Sequence, residues 1–145
     1  MTLLVVHLVL VSAYAGFQWT VRGLVYPQFA EVPPGAFAGY ERRHQQRVSR
    51  VVGPLFAGQG VTTLWLLLDR PAGVSWVWVL ATAALLAAVL VVTALGAVPL
   101  HRRLDAGWDP AAHRSLLRVD GVRVAAASAN TVVVLLAVLV LSGPG

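Results

Sequence analysis

The sequence predicts an all-α integral membrane protein: a four-helix bundle with both termini on the outer side. Three observations predict it. Four long apolar runs, residues 3–20, 51–68, 72–100 and 124–141, contain no charged side chain. Each is close to or above the ~20 residues that carry a helix across a bilayer core. Backbone polar groups cannot stay unpaired in lipid, so such runs must be helical. Second, the charge is segregated. Arg22, Arg42, Arg43, Arg47 and Arg50 lie between runs one and two, and Arg102, Arg103, Arg114, Arg118 and Arg123 between runs three and four, whereas Arg70 stands alone between runs two and three. The positive-inside rule makes the first and third connections cytoplasmic and leaves both termini outside. Third, Trp65, Trp76 and Trp78 gather near the outer predicted interface and Trp108 near the inner one, as in aromatic belts.

Each element follows in order. The first helix is expected from about Leu3 to Tyr26, ending at Pro27. Its start, with Ser12-Ala13-Tyr14-Ala15 after an apolar stretch, has the small-x-small look of a signal cleavage site, but the positive leader is missing, so the segment is expected to stay as a helix. Pro33-Pro34-Gly35 marks a loop, and the second helix is expected to start near Ala36, well before the membrane, with Gly53-Pro54 kinking it. Asp69-Arg70-Pro71-Ala72-Gly73 is a tight turn before the third helix, which carries Pro99 near its end and closes at Asp105-Ala106-Gly107. Asp109-Pro110 forms an N-cap and N1 pair for the fourth. In that helix Ala125-Ala126-Ala127-Ser128-Ala129 is very thin. The slender stretch suits tight packing, or leaves room for a ligand or a second copy of the chain, so a homo-oligomer stays open.

Composition bounds function. With 145 residues, 58% of them hydrophobic, and mean hydropathy +0.75, residues 1–145 form one membrane domain and a multi-pass protein of the plasma membrane. A sequence pI near 11.1 invites nucleic acid as a partner. That partner is rejected, because the Arg residues sit at the ends of lipid-length segments, where orientation and anionic headgroups explain them. Lysine is absent. A GC-rich bacterial genome favours arginine, which also grips anions with a two-pronged fork. The lack of cysteine excludes thiol redox chemistry, disulfides and iron–sulfur clusters.

Polar side chains concentrate at the inner half. His113, Asp120, Arg123, Ala127 and Asn130 share one face of the fourth helix, with Asp120 and Arg123 one turn apart and able to pair, and with Ala127 leaving space between Arg123 and Asn130. Tyr40, His44 and Arg47 share a face of the second helix; Gln59 lies more than three turns deeper, and Gln18 and Arg22 sit near the inner end of the first. His44 and His101 fall at matching depth on adjacent helices. Facing histidines there serve as acid and base or as hydrogen-bonding groups, or ligate a metal or haem; no local metal motif is present, so no cofactor is favoured. His7, alone near the outer end, is expected to be a hydrogen-bonded packing residue.

The run of Trp19, Arg22, Tyr26-Pro27 and Phe29, then Phe37, Tyr40, His44, Val51-Val52, Pro54 and Gln59, then Val98-Pro99-Leu100-His101 and Leu104, then Arg123, resembles a group of small four-helix bacterial membrane proteins. These in turn resemble the anthrone-oxygenase-like membrane proteins of aromatic polyketide pathways. The resemblance spans most of the chain through short, loosely spaced motifs. It implies an inner-leaflet pocket around His44 and His101, and a place in secondary metabolism. Gln59 stands where that group usually has an acidic residue, and the tryptophans that commonly flank Arg123 are missing, which weakens the case for a carboxylate-rich metal site.

The leading expectation is an enzyme acting on a hydrophobic polyketide-, quinone- or terpenoid-like molecule, by oxygenation or by acid–base cyclisation or isomerisation. His44, His101, Asp120 and Arg123 would be catalytic, with Asp120 orienting a histidine and an Arg holding an oxyanion. Tyr40, Arg47, Gln59, Asn130, Gln18 and Arg22 would bind the substrate. The alternative is a non-catalytic membrane subunit, or a haem- or metal-binding anchor through His44 and His101. A proton-coupled exporter is set aside because no Asp or Glu lies within the four runs.

Overall fold

The computed structural model describes residues 1–142. Among the described residues every regular element is helical, and four rods are long and apolar enough to cross a membrane: α1 (Thr2–Phe29), α2 (Pro34–Leu68), α3 (Trp76–Asp105) and α4 (Pro110–Ser142). Their 28 to 35 residues span roughly 42–53 Å at 1.5 Å per residue. A hydrocarbon core is about 30 Å thick, so the rods overrun it. Short connections make sequential neighbours antiparallel. α1 packs between α2 and α4, and α3 closes the ring by packing on α4 and α2.

One proline corrects an expected boundary. Pro27 does not end α1, which runs on to Phe29, whereas Pro99 sits inside α3 near its end at Asp105, as expected. Each follows a π-helical turn, Val21–Val25 in α1 and Thr93–Ala97 in α3. Proline lacks an N–H and crowds the carbonyl four residues back, here Gly23 and Leu95. One wide turn absorbs that conflict without breaking the rod. α2 likewise continues through Pro54 and begins at Pro34, slightly before the expected Ala36. Both expected turns form, with Gly73 at φ +83° and Gly107 at φ +143°, a region that favours glycine. Asp109 Oδ1 accepts from the N–H of Ala111 at 2.9 Å and of Ala112 at 3.0 Å, so the expected cap of α4 is made.

Side chains sort inside out. Val9, Leu24, Leu68, Leu95 and Trp19 are exposed on the flanks, while His7, Gln18, Glu41, Gln59, Thr62, Thr82, His113, Asp120, Arg123 and Asn130 are buried. Three apolar layers hold the bundle. Leu4, Leu66, Val74 and Val79 fill the end that carries Arg70. Tyr14, Ala15, Val89 and Ala127 fill the middle, with Phe56 against Tyr14 at 5.0 Å between ring centroids. At the Arg-rich end Phe29, fully buried, is the hub of an aromatic cap that includes Tyr26, Phe37, Tyr40, His44 and His113. Trp108 stacks into this cap against Phe37 and His113. It is half-buried at the end of the bundle expected to lie at the inner interface.

Candidate functional site

Glu41, His44 and Gln45 lie at spacings of three and one on α2, on a face that continues through Val48, Val52 and Phe56. α3 brings His101 across to it just beyond Pro99. His101 Nδ1 donates to Glu41 Oε1 at 2.5 Å, and Glu41 is fully buried. With Nδ1 donating there, the other ring nitrogen, Nε2, faces the Tyr26 hydroxyl at 3.3 Å. The His44 and His101 rings stack with centroids 6.0 Å apart. Gln45 Nε2 reaches both Glu41 Oε1 at 3.2 Å and Asp105 Oδ1 at 2.8 Å, tying α2 to α3 below the dyad. His113 Nε2 donates to the Tyr26 carbonyl at 2.9 Å, a group orphaned near the end of α1, and so steadies the tyrosine.

A second cluster sits beside the first. Gln18 Nε2 donates to Asp120 Oδ1 at 3.2 Å, and Gln18 Oε1 accepts from Arg123 Nη2 at 3.2 Å, so one amide clamps both partners. Arg123 Nη1 lies 3.7 Å from Asp120 Oδ1, and Arg22 Nη1 lies 3.8 Å from Asp120 Oδ2. Arg22 also donates to the Leu117 carbonyl at 2.8 Å, crossing α4 where Gly121 leaves room; a Cβ there would come within 3.2 Å of the guanidinium. Among the described residues Tyr14 Oη, Glu41 Oε2, Asp120 Oδ2 and Arg123 Nε are buried without a hydrogen-bond partner. Thr63 Oγ1, beside Thr62, is a fifth; buried polar atoms are usually satisfied, and of these five residues Arg123 is the one that also lines the cavity described next.

Space adjoins them. A cavity of about 140 Å³ is lined by Phe17, Gln18, Val21 and Tyr26 of α1, by His44, Gln45, Val48, Ser49, Val52 and Phe56 of α2, by Thr93, Ala97, Val98 and His101 of α3, and by Arg123 of α4. Both π-helical turns contribute to its wall, through Val21, Thr93 and Ala97. Its lining mixes apolar side chains with a few polar ones, among them Gln18, Tyr26, His44, His101 and Arg123, the composition of a small-molecule pocket.

The sequence-derived candidates divide. His44, His101, Gln18 and Arg123 line the cavity, and Asp120 and Arg22 stand behind Arg123. Tyr40 packs on Phe29 and Phe37, Arg47 is exposed, and Gln59 is buried with its amide on the Leu55 carbonyl of its own helix. None of these three lines the cavity. Asn130 is bound elsewhere, accepting from Thr82 Oγ1 at 2.6 Å. Ala127 leaves no ligand space, because it is packed into the layer with Tyr14, Ala15 and Val89. The carboxylate that orients a histidine is Glu41, not Asp120, which instead holds Gln18 and the two arginines. Glu41 and Tyr26 were not among the candidates. The signal for Glu41 is its position on the Val48–Val52–Phe56 face, three residues before His44. Two carboxylates are thus buried although the apolar runs contain none, which removes the premise on which an exporter was set aside.

The metal and haem alternatives fit poorly. Among the described residues no three His, Cys, Asp or Glu side chains are placed to hold a metal ion. Both ring nitrogens of His101 are engaged. A cavity of about 150 Å³ accepts a benzene, so a space of about 140 Å³ between rings 6.0 Å apart does not admit a haem. No family model, curated protein or solved structure matches this chain, and the chemistry of the site rests on its own geometry.

Proposed function

We propose that the chain is a membrane enzyme of the acid–base type, acting on a small hydrophobic molecule that carries a phenolic O–H or an enolisable C–H. The observation that carries this reading is the Glu41–His101–Tyr26 relay beside a cavity whose wall also holds Arg123. His101 Nε2 takes the proton, and the buried Glu41 carboxylate stabilises the imidazolium that forms. The oxyanion left on the substrate faces Arg123, held in place by Gln18 and Asp120 before reaction, which is how electrostatic stabilisation avoids a reorganisation cost. Tyr26 can return the proton to another atom of the product. The formal charges of Arg22 and Arg123 balance those of Asp120 and Glu41, so the transfer redistributes charge inside the site and imports none.

The same first step begins an isomerisation, a cyclisation or the oxygenation of an activated phenol, and the resemblance to the anthrone-oxygenase-like group supports the last. We place the Arg-rich end in the cytoplasm of a bacterial cell and both termini outside, on the support of ten arginines at one end against one at the other.

The test uses proteoliposomes in heavy water with cyclohexanone as a single-ring carbon acid. Wild-type protein is expected to speed deuterium incorporation next to the carbonyl. His101→Gln should lower the rate about 10²–10⁴-fold. Incorporation no faster than with empty vesicles would overturn the proposal and leave the non-catalytic subunit.

A further inference from the structure

Resting on that acid–base reading, we infer that the substrate is a lipid whose headgroup is a single phenolic ring and whose apolar tail leaves the cavity sideways, between α2 and α3. Three observations converge. The cavity, about 140 Å³, has the volume of one six-membered ring, since about 150 Å³ suffices for benzene. Gln18, Tyr26, His44, His101 and Arg123 offer partners to an oxygen-bearing edge of that ring, while Val48, Val52 and Phe56 give it apolar contact.

The third observation is an opening. α2 packs on the Trp76–Val92 part of α3 and again on its Val98–Asp105 part, and packs much less on the π-helical turn Thr93–Ala97 between them, where the cavity lies. The cavity reaches the surface there, with Ser49 and Val98 exposed and Val48 and Val52 half-buried. Just outside, Val51 and Leu95 are exposed, on segments that lie within the apolar runs. The mouth therefore has an apolar edge in Val51, Val52, Leu95 and Val98, with exposed Arg50 next to Ser49. A tailless ring would have no use for this apolar exit, while a long alkyl or prenyl chain placed in it stays in lipid as the ring enters the site. The ring O–H then meets the polar wall, where its proton passes to His101 Nε2 and the phenolate is held by Arg123.

Equilibrium binding to protein in lipid nanodiscs, corrected with protein-free discs, tests this. The probes are para-decylphenol, para-decylanisole, phenol and anthrone. Wild type should bind para-decylphenol saturably and at least about tenfold more tightly than the anisole, which has no proton to give. Val51→Trp, and separately Leu95→Trp, both exposed and outside the cavity lining, should weaken para-decylphenol about tenfold and leave phenol unchanged, showing that the cavity itself is intact. No saturable para-decylphenol binding, equal binding by both variants and wild type, or anthrone displacing phenol as well as the single-ring probes would each overturn the inference. Binding without deuterium exchange on cyclohexanone would fail the acid–base reading alone, and exchange without para-decylphenol binding would fail this inference alone.

Discussion

The two ends of the bundle bury histidines in opposite ways. Near the end that carries Arg70, His7 is fully buried, with Nδ1 at 2.7 Å from Thr62 Oγ1 and Nε2 at 2.9 Å from Thr82 Oγ1, and Thr82 goes on to Asn130. This network touches all four helices, contains no formal charge pair, and adjoins a space of only about 10 Å³. At the Arg-rich end His101 faces a carboxylate on one nitrogen and a tyrosine on the other, among ionised groups with orphaned atoms and a cavity fourteen times larger. Burial of polar groups in a membrane protein is a hint of function by default. The contrast shows what refines the hint: hydrogen-bonding capacity left over beside a space that a molecule can fill. His7 spends all of its capacity on tying helices together.

Breaking the charged end should have the largest effect. Glu41→Gln removes the charge that supports the His101 imidazolium, and deuterium exchange on cyclohexanone should fall about 10²–10⁴-fold, the scale of a lost base or its orienting acid. Thermal unfolding in detergent should change much less. Asp120→Asn acts on stability as well. It strips the buried Arg123 of its counter-charge, and breaking one side of such a pair costs about 3 kcal/mol; thermal unfolding beside the Michaelis constant should show lower stability together with weaker substrate binding.

The opposite end should respond the other way. His7→Leu removes two contacts between helices, each worth about 0.6 kcal/mol in membrane proteins, so stability should drop by about 1 kcal/mol. Exchange activity per folded molecule should be unchanged. A large activity loss in His7→Leu with normal folding would dissolve the distinction between the two regions.

The smallest effect lies at the cap of α4. The Ala112 and Ala111 N–H groups and Arg103 hold the Asp109 carboxyl below the usual carboxylate range. A group whose folded value is depressed adds stability above its unfolded value, near 3.9, and loses it as pH falls through the folded value. Asp109→Ala should therefore melt below wild type at neutral pH, and the gap should close as the pH falls below the unfolded value and through the lower folded one.

Much of this was legible in the chain because lipid constrains sequence strongly. The apolar runs gave four rods, Asp109-Pro110 gave a cap, and the seven, three, four and three spacing gave the buried face from His113 to Asn130. What that face holds was less legible. Whether Asn130 serves the arginine site or the His7 network depends on where α3 presents Thr82, a long-range matter that no spacing on α4 encodes. Pro27 and Pro99 suggested ends and bends, because local sequence does not say when a wide turn will absorb a missing N–H. Glu41 was hidden in a stretch where Glu41, Arg42, Arg43 and Arg47 all look like solvated surface. Only the continuation of its face into Val48, Val52 and Phe56 sets it apart from its exposed neighbours.

The most direct measurement follows both histidines at once. Ring-nitrogen NMR of histidine-labelled protein in nanodiscs, with signals assigned through His101→Gln and His7→Leu, should show the His101 Nε2 resonance moving toward the protonated form as phenol is added. The His7 resonances should stay fixed. A His101 signal that ignores phenol, or a His7 signal that moves as far, would contradict the assignment of the reacting site to the Arg-rich end.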